Sequence, residues 1–435
     1  MDGKGSTQIG TGLSAPGPGI LGAMVRGNLM NDLHGSAGRA RALRGALFLA
    51  SAIALSIRVF PMRAYASVGR ETHDPSIVFK KTILDRRFVA EGVAVADVNR
   101  DGKLDILAGN LWYEAPNWTP HEIAPYQPVD PAMAYSNCFN SWAYDVNRDG
   151  WPDQIVVGMP GEKAIWRENP KGKDQPWREH PIWRSACNES PLFIDLLGKG
   201  KPVLVMGYDD NYLAWFEPGP DPYAEWQCHN ISEQKGSGSQ RYSHGLGIGD
   251  VNMDGRNEIL TKDGYYVAPS DPRSGPWKFV KENLGDECAQ MRVYDVNGDH
   301  LPDVLSSSAH KRGVWWYAQQ KGGNAFVTHV IDDTISETHS LVLADVDRDG
   351  VPDIVTGKRV WAHGPSGDVG AGEPAWLVWY QLKRTPTGIE WARHLVDVDS
   401  GVGTQFEVRD VNRDGLPDII VSNKRGVFLF EQMKG

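Results

Sequence analysis

The sequence predicts an all-β fold, a seven-bladed β-propeller of four-stranded blades closed by an N-terminal strand that completes the last blade. Three observations predict it. One acidic phrase recurs seven times along the chain. A second phrase, built on Trp and His, follows most of its copies. An orphan strand pattern precedes the first copy, and the last copy lacks the matching element.

The acidic phrase reads Asp97-Val-Asn-Arg-Asp-Gly-Lys-Leu-Asp105 in its first copy and Asp145-Val-Asn-Arg-Asp-Gly-Trp-Pro-Asp153 in its second. Further copies begin at Asp250, Asp295, Asp345 and Asp410, and a decayed one at Asp195. Successive first Asp residues are 48, 50, 55, 45, 50 and 65 apart, a period that belongs to solenoids, propellers and arrays. Each copy is followed by a short apolar run such as Gln154-Ile-Val-Val-Gly158 or Ile419-Ile-Val-Ser422, which reads as a strand.

Positions one, three, five and nine of the phrase carry oxygen ligands suited to a hard cation. The sets are Asp97, Asn99, Asp101 and Asp105; Asp145, Asn147, Asp149 and Asp153; Asp250, Asn252, Asp254 and Glu258. The remaining three are Asp295, Asn297, Asp299 and Asp303; Asp345, Asp347, Asp349 and Asp353; Asp410, Asn412, Asp414 and Asp418. Solvated turns favour Asp and Asn too, but six copies in register point to calcium in up to six loops. No bidentate Glu stands at position twelve, so this is not an EF-hand. The copy at Asp195 has Leu197, Lys199 and Val203 at the other ligand positions and is expected to hold no ion. The copy at Asp295 has His300 where the others have Gly, which predicts a more strained turn.

The strand, acidic loop and strand pattern resembles the FG-GAP repeat, also called the VCBS repeat, over about residues 75–435. The resemblance implies a seven-bladed propeller like the head of integrin α subunits, with calcium between the first two strands of a blade.

Each copy's second phrase reads as the third and fourth strands. Examples are Trp112-Tyr-Glu with His121, Trp166-Arg-Glu with His180, and Trp215-Phe-Glu with His229. Their Trp and His residues read as packing and hydrogen-bonding groups rather than ligands. The last copy ends at Val427-Phe-Leu-Phe-Glu431 without a fourth strand, whereas Ile77-Val-Phe-Lys-Lys-Thr-Ile-Leu84 is a fourth strand without a blade. Pairing the two would remove the exposed edges of an open ring.

The first 66 residues differ. Arg39, Arg41 and Arg44 precede the apolar run Gly45–Ile57, and Ala64-Tyr-Ala66 fits a secretory cleavage site. The run is too short to span a bilayer. The expectation is therefore an upstream segment and signal peptide over 1–66, with translation starting at Met24 or Met30. A single exported domain follows over 67–435, periplasmic, surface-attached or secreted, with no membrane span. The leader carries seven Lys/Arg and two Asp, a net +5, so a total of −10 leaves −15 for the rest. That balance, with no basic patch, excludes a nucleic-acid partner. With 41% hydrophobic residues and 16 Trp, the chain has ample material for a core. Cys138 and Cys187 occupy near-equivalent places in neighbouring repeats, leaving either a disulfide or two buried thiols.

If the acidic loops lie at the end of each innermost strand, that strand begins on the opposite face, near the axis. The residues six before each first Asp are Glu91, Phe139, Glu189, His244, Ala289, His339 and Thr404. Arg292 and Glu407 lie deeper. Two imidazoles and one or two carboxylates could hold Zn, Mn, Fe or Mg with an open position; a polar, water-lined pore mouth would need no ion. Such a centre suits dehydration, isomerisation or elimination on a sugar, with Glu91, Glu189, His244, His339 and Arg292 as the candidate catalytic group. No nucleophile elbow, P-loop or dinucleotide fingerprint competes, and Gly245-Leu-Gly-Ile-Gly249 reads as an innermost strand kept slim. The Trp- and His-bearing blades, with His244 and His339, look like the propeller of aldos-2-ulose dehydratase. That resemblance implies a metal-assisted lyase acting on keto-sugars such as glucosone or anhydrofructose. The opposing expectation is a non-catalytic adhesion or polysaccharide-binding propeller.

Overall fold

The computed structural model describes residues 77–285, 288–322 and 325–434. The expected leader, its cleavage position at Ala66 and residues 67–76 lie outside the described residues. The described strands form seven four-stranded antiparallel sheets, and no helix among them is long and apolar enough to cross a membrane. The all-β, seven-bladed propeller is what the repeat predicts.

The second strand of every blade starts on the ninth residue of the acidic phrase: Asp105, Asp153, Val203, Glu258, Asp303, Asp353 and Asp418. The first strands end just before the phrase, as in Ala94–Ala96, Asn140–Tyr144 and Glu407–Arg409, and pack on the first strands of neighbouring blades. They are therefore the innermost strands. Gly247 and Gly249 of blade four lie so close to blade five that an added Cβ would meet Met291 and Val293 side chains at 2.7 and 2.5 Å. The slim segment accommodates the adjacent blade.

Strand Ile77–Asp85 pairs antiparallel with Gly426–Lys434, from Ile77 opposite Lys434 to Asp85 opposite Val427. It is the outermost strand of the sheet that contains Glu407–Arg409 and Asp418–Asn423.

The core fills the spaces between blades. Trp166, Met206 and Phe216 join blades two and three, while Ile106, Tyr113, Ile420 and Phe428 join blades one and seven. Burying each such side chain stabilises by about 1.5–3 kcal/mol. In five blades a third-strand Trp stacks on the His directly opposite in the fourth strand: Trp112–His121, Trp166–His180, Trp215–His229, Trp316–His329 and Trp379–His394, with centroids 4.1–4.4 Å apart. These rings pack the blade, in keeping with their reading as packing groups. Cys138 and Cys187 form no disulfide; both are buried thiols, directed at the carbonyls of Asn140 and Ser239.

Candidate functional site

The acidic loops share one architecture. In blade two, Asp145 accepts from the Asp149 and Gly150 N–H groups at 3.0 and 2.9 Å. Asn147 Oδ1 accepts from Asp149 N–H, and Asp149 Oδ1 from Trp151 N–H, both at 3.0 Å. Asp153 is buried and accepts from the N–H groups of Val146 and Asn169, each at 2.9 Å. Positions four and six both take left-handed backbone. Most loops put Gly at six, but the loop at Asp295 puts Gly298 at four (φ 77°) and His300 at six (φ 68°). His300 thus sits in a conformation that disfavours a bulky side chain, while Gly298 relaxes position four.

The ninth-position carboxylates are a strained set. Burial pushes Asp105, Asp303 and Asp418 up to about 6, and Asp153, Glu258 and Asp353 up to about 7, against the backbone donors that lower them. Asp97 Oδ1 and Asp345 Oδ1 are buried without a hydrogen-bond partner. Ligand oxygens of Asp345, Asp347 and Asp349 lie within 4.8 Å of one another. Converging, under-satisfied oxygens fit a hard cation such as calcium.

On the opposite end of the innermost strands, five of the seven ring residues converge around a residue that the ring pattern does not contain. The Arg359 guanidinium donates to Glu91 Oε1 at 2.7 Å and to Glu189 Oε2 at 3.1 Å, and all three are buried. It also lies 5.2 Å from the Phe139 ring centroid. His244 Nε2 and His339 Nε2 approach Glu189 Oε2 at 3.4 and 3.9 Å. Burial raises the Glu189 pKa, but His244, Arg359 and His310 outweigh it and hold the group down at about 2. Burial lowers Arg359, but Glu91 and Glu189 more than restore it, so it is a fixed cation.

His310 completes the group. It meets His244 and His339 edge-to-face, with centroids 4.9 Å away in each case. Ligand nitrogens of His244, His310 and His339 lie within 4.8 Å of one another. The Nε2 atoms of His244 and His339 and Nδ1 of His310 are buried with no hydrogen-bond partner. Burial, then the neighbouring His244 charge, lowers the His310 pKa to about 4; burial and Arg359 hold His339 well below its usual value. His310 and His339, held neutral in this way, are imidazoles of the kind that fit a borderline divalent cation such as zinc. Asp368 Oδ1 stands 3.4 Å from His310 Nδ1 and 2.9 Å from His363 Nδ1.

Arg292 is placed apart from this group: it donates to Gln290 Oε1 at 3.0 Å and to the Met291 carbonyl at 3.1 Å. Burial lowers it to about 10 and raises Glu407, at the corresponding depth of blade seven, to about 7. Below the ring, Gln290 Nε2 reaches the Thr404 carbonyl at 3.3 Å, and Gln405 bonds Val93 and Ser141 of blades one and two. These buried amides cross-link the blades just beneath the mouth.

Arg359 and Asp368 sit on the connection between Asp353–Gly357 and Leu377–Thr385 of blade six. It is anchored where Arg359 N–H meets the Glu337 carbonyl at 2.8 Å and Lys358 Nζ approaches Glu337 Oε1 at 3.5 Å. The Tyr135 hydroxyl, from the connection into blade two, donates to the Ala362 carbonyl. The 65-residue gap between the last two acidic phrases is the sequence signal for this inserted connection. His310 follows a second strand, where counting from the first strands does not reach.

Residues 295–356 match the FG-GAP-like repeat family. No curated protein matches the chain. A similar solved structure is that of an Agrocybe aegerita lectin described as specifically recognising non-reducing terminal N-acetylglucosamine. It is 15% identical, with a TM-score of 0.42, over 74% of this chain and 81% of that one.

Proposed function

We propose that this protein is an exported, calcium-stabilised propeller that carries out metal-assisted chemistry on carbohydrate at the mouth of its central channel, as a lyase or dehydratase of keto-sugars. The observation that carries the reading is the group of half-buried His244 and His310 with buried His339, whose ligand nitrogens lie within 4.8 Å of one another. These histidines would hold the cation, with Glu189 as a neighbouring carboxylate. When bound, such a cation polarises a substrate carbonyl or hydroxyl. The chain's own contribution is preorganisation. Arg359 holds Glu91 and Glu189 in place, and His363 of the Lys358–Trp376 connection stacks on His310. The six intact acidic loops hold calcium and lie at the other ends of the same strands.

A second reading is a non-catalytic carbohydrate-binding propeller. The observation favouring it is that Arg359 already pairs with both mouth carboxylates, leaving neither unengaged as a proton acceptor.

The test is elemental analysis of the wild-type protein and a His244→Ala/His339→Ala variant, after removal of weakly held calcium. The reading expects about one equivalent of a transition metal in the wild type and none in the variant. Incubation with keto-sugars should give a new ultraviolet-absorbing enone. Equal metal content in both proteins refutes the metal centre; metal without enone across a broad panel favours the binding module.

A further inference from the structure

A second group of metal-ligating side chains adjoins the first. Ligand atoms of His310, His363 and Asp368 lie within 4.8 Å of one another. His310 follows Asp303–Ser307 of blade five, and the other two stand on the connection between Asp353–Gly357 and Leu377–Thr385 of blade six. We infer that these three side chains form a separate, solvent-facing site for a borderline divalent cation such as zinc, which exchanges with the medium. The inference goes beyond the reading above: the inner cation needs His244 and His339, whereas this one needs His363 and Asp368.

The spacing of the ligand atoms carries the argument. Atoms about 2.0–2.2 Å from a shared cation stand about 2.8–3.6 Å apart at octahedral or tetrahedral angles. Asp368 Oδ1 is 2.9 Å from His363 Nδ1 and 3.4 Å from His310 Nδ1, and Asp368 Oδ2 is 3.1 Å from His363 Nδ1. The His310 and His363 rings stack with centroids 4.6 Å apart, and both place Nδ1 beside the same carboxylate. Two imidazoles and one carboxylate suit zinc, nickel, copper or iron rather than calcium, which takes oxygen ligands. The proton between His363 Nδ1 and Asp368 is the one that a cation displaces.

The loop is built to keep this arrangement. Asp368 Oδ2 accepts from the His363 N–H at 2.9 Å, so the carboxylate closes a turn on the residue it would share the cation with. Gly367 makes the turn possible: an added Cβ would lie against the His363 carbonyl and 2.6 Å from the His363 Cβ. The Asp368 side chain is 6% exposed, and its ion-pair partners among the described residues are the two imidazoles. An imidazole is a positive partner only when protonated, so this buried carboxylate has no permanent cation beside it. A divalent ion supplies one. The His363 side chain is 56% exposed, against 1% for His339 of the inner group, so the outer site is open to the medium.

The experiment is equilibrium dialysis of the full chain against increasing zinc, with calcium in excess to fill the acidic loops. The wild type is expected to bind about one more equivalent of exchangeable zinc than His363→Ala. Losing a ligand should weaken this binding about tenfold or more, in His363→Ala and in Asp368→Asn alike. Without zinc, His363→Ala should melt at the wild-type temperature, because the side chain it removes is exposed. The folded His244→Ala/His339→Ala protein should keep the exchangeable equivalent, and adding His363→Ala to it should remove it. Equal zinc binding by the wild type and His363→Ala overturns the inference, and so does loss of the exchangeable equivalent in folded His244→Ala/His339→Ala. Exchangeable zinc that depends on His363, in a protein with no tightly held metal, would leave this site standing and count against the inner centre alone.

Discussion

Blades two and three share a backbone but not a chemistry. In blade two, Asn147 Nδ2 donates to Glu168 Oε1 at 3.3 Å, Glu168 Oε2 meets His180 Nε2 at 2.9 Å, and His180 stacks on Trp166. The acidic loop is thereby wired to the outermost strand. In blade three the loop keeps its shape, since Asp195 accepts from Lys199 and Gly200 N–H at 2.9 and 2.6 Å. Leu197 has no amide to offer, so Glu217 binds Arg273 of blade four at 2.7 Å while retaining His229 at 3.1 Å. The second difference is at position nine. Asp153 needs two N–H donors and has them in Val146 and Asn169. Blade three has Val203 there, Pro218 follows Glu217 where Asn169 follows Glu168, and Leu196 N–H is engaged by the Ile194 carbonyl. The difference between the two loops thus extends beyond the candidate ligands: the carboxylate, its donor and the relay all differ, and an inter-blade ion pair stands in the relay's place.

The largest test of this contrast is to make all blades resemble blade three by removing calcium. Excess EDTA should lower the melting temperature by more than about 10 °C, because the intact loops would be left with buried, mutually repelling carboxylates. An unchanged melting curve would mean that the intact loops are as self-sufficient as the one at Asp195. Next in size is Val203→Asp. It buries a carboxylate with neither donor in place and should destabilise by about 3 kcal/mol or more in denaturant titration. Adding Pro218→Asn restores one N–H and should recover part of the loss. Equal stability of the single and double variants would sever position nine from its donor.

These particulars also separate what could be read in the chain from what could not. The fold was legible because the acidic phrase is local: nine consecutive residues close on themselves, and the seven repeats count the blades. The mouth was half legible. Glu91, Glu189, His244 and His339 share a strand position, so a fixed count from each Asp finds them. Arg359 and His310 lie on connections that symmetry does not govern, and their role depends on reaching across the axis: Arg359 spans from blade six to blades one and three. The glycine shift from position six to four at Asp295 was visible as letters but not as compensation, because only the backbone shows that both positions are left-handed.

A smaller effect distinguishes the loops by stoichiometry. Asp149→Ala should reduce bound calcium by about one equivalent, whereas Lys199→Ala in blade three should leave the count unchanged. Loss of calcium in both, or in neither, would erase the difference between the loops.

The smallest effect concerns the two relays. Glu168→Ala and Glu217→Ala each remove charge-assisted contacts of a partly buried carboxylate, and each should cost about 1 kcal/mol. Their dependence on calcium should differ. Glu168 touches a candidate loop ligand, Asn147, so its variant should also weaken calcium binding in that loop, and part of its cost should vanish in EDTA. Glu217 holds Arg273 and no loop ligand, so its cost should be the same with and without the metal. A double-mutant cycle with Arg273→Ala should show coupling for Glu217 and none for Glu168. If both variants respond alike to EDTA, the relay through Asn147 transmits nothing, and the Trp–His–Glu motif is blade packing in every repeat.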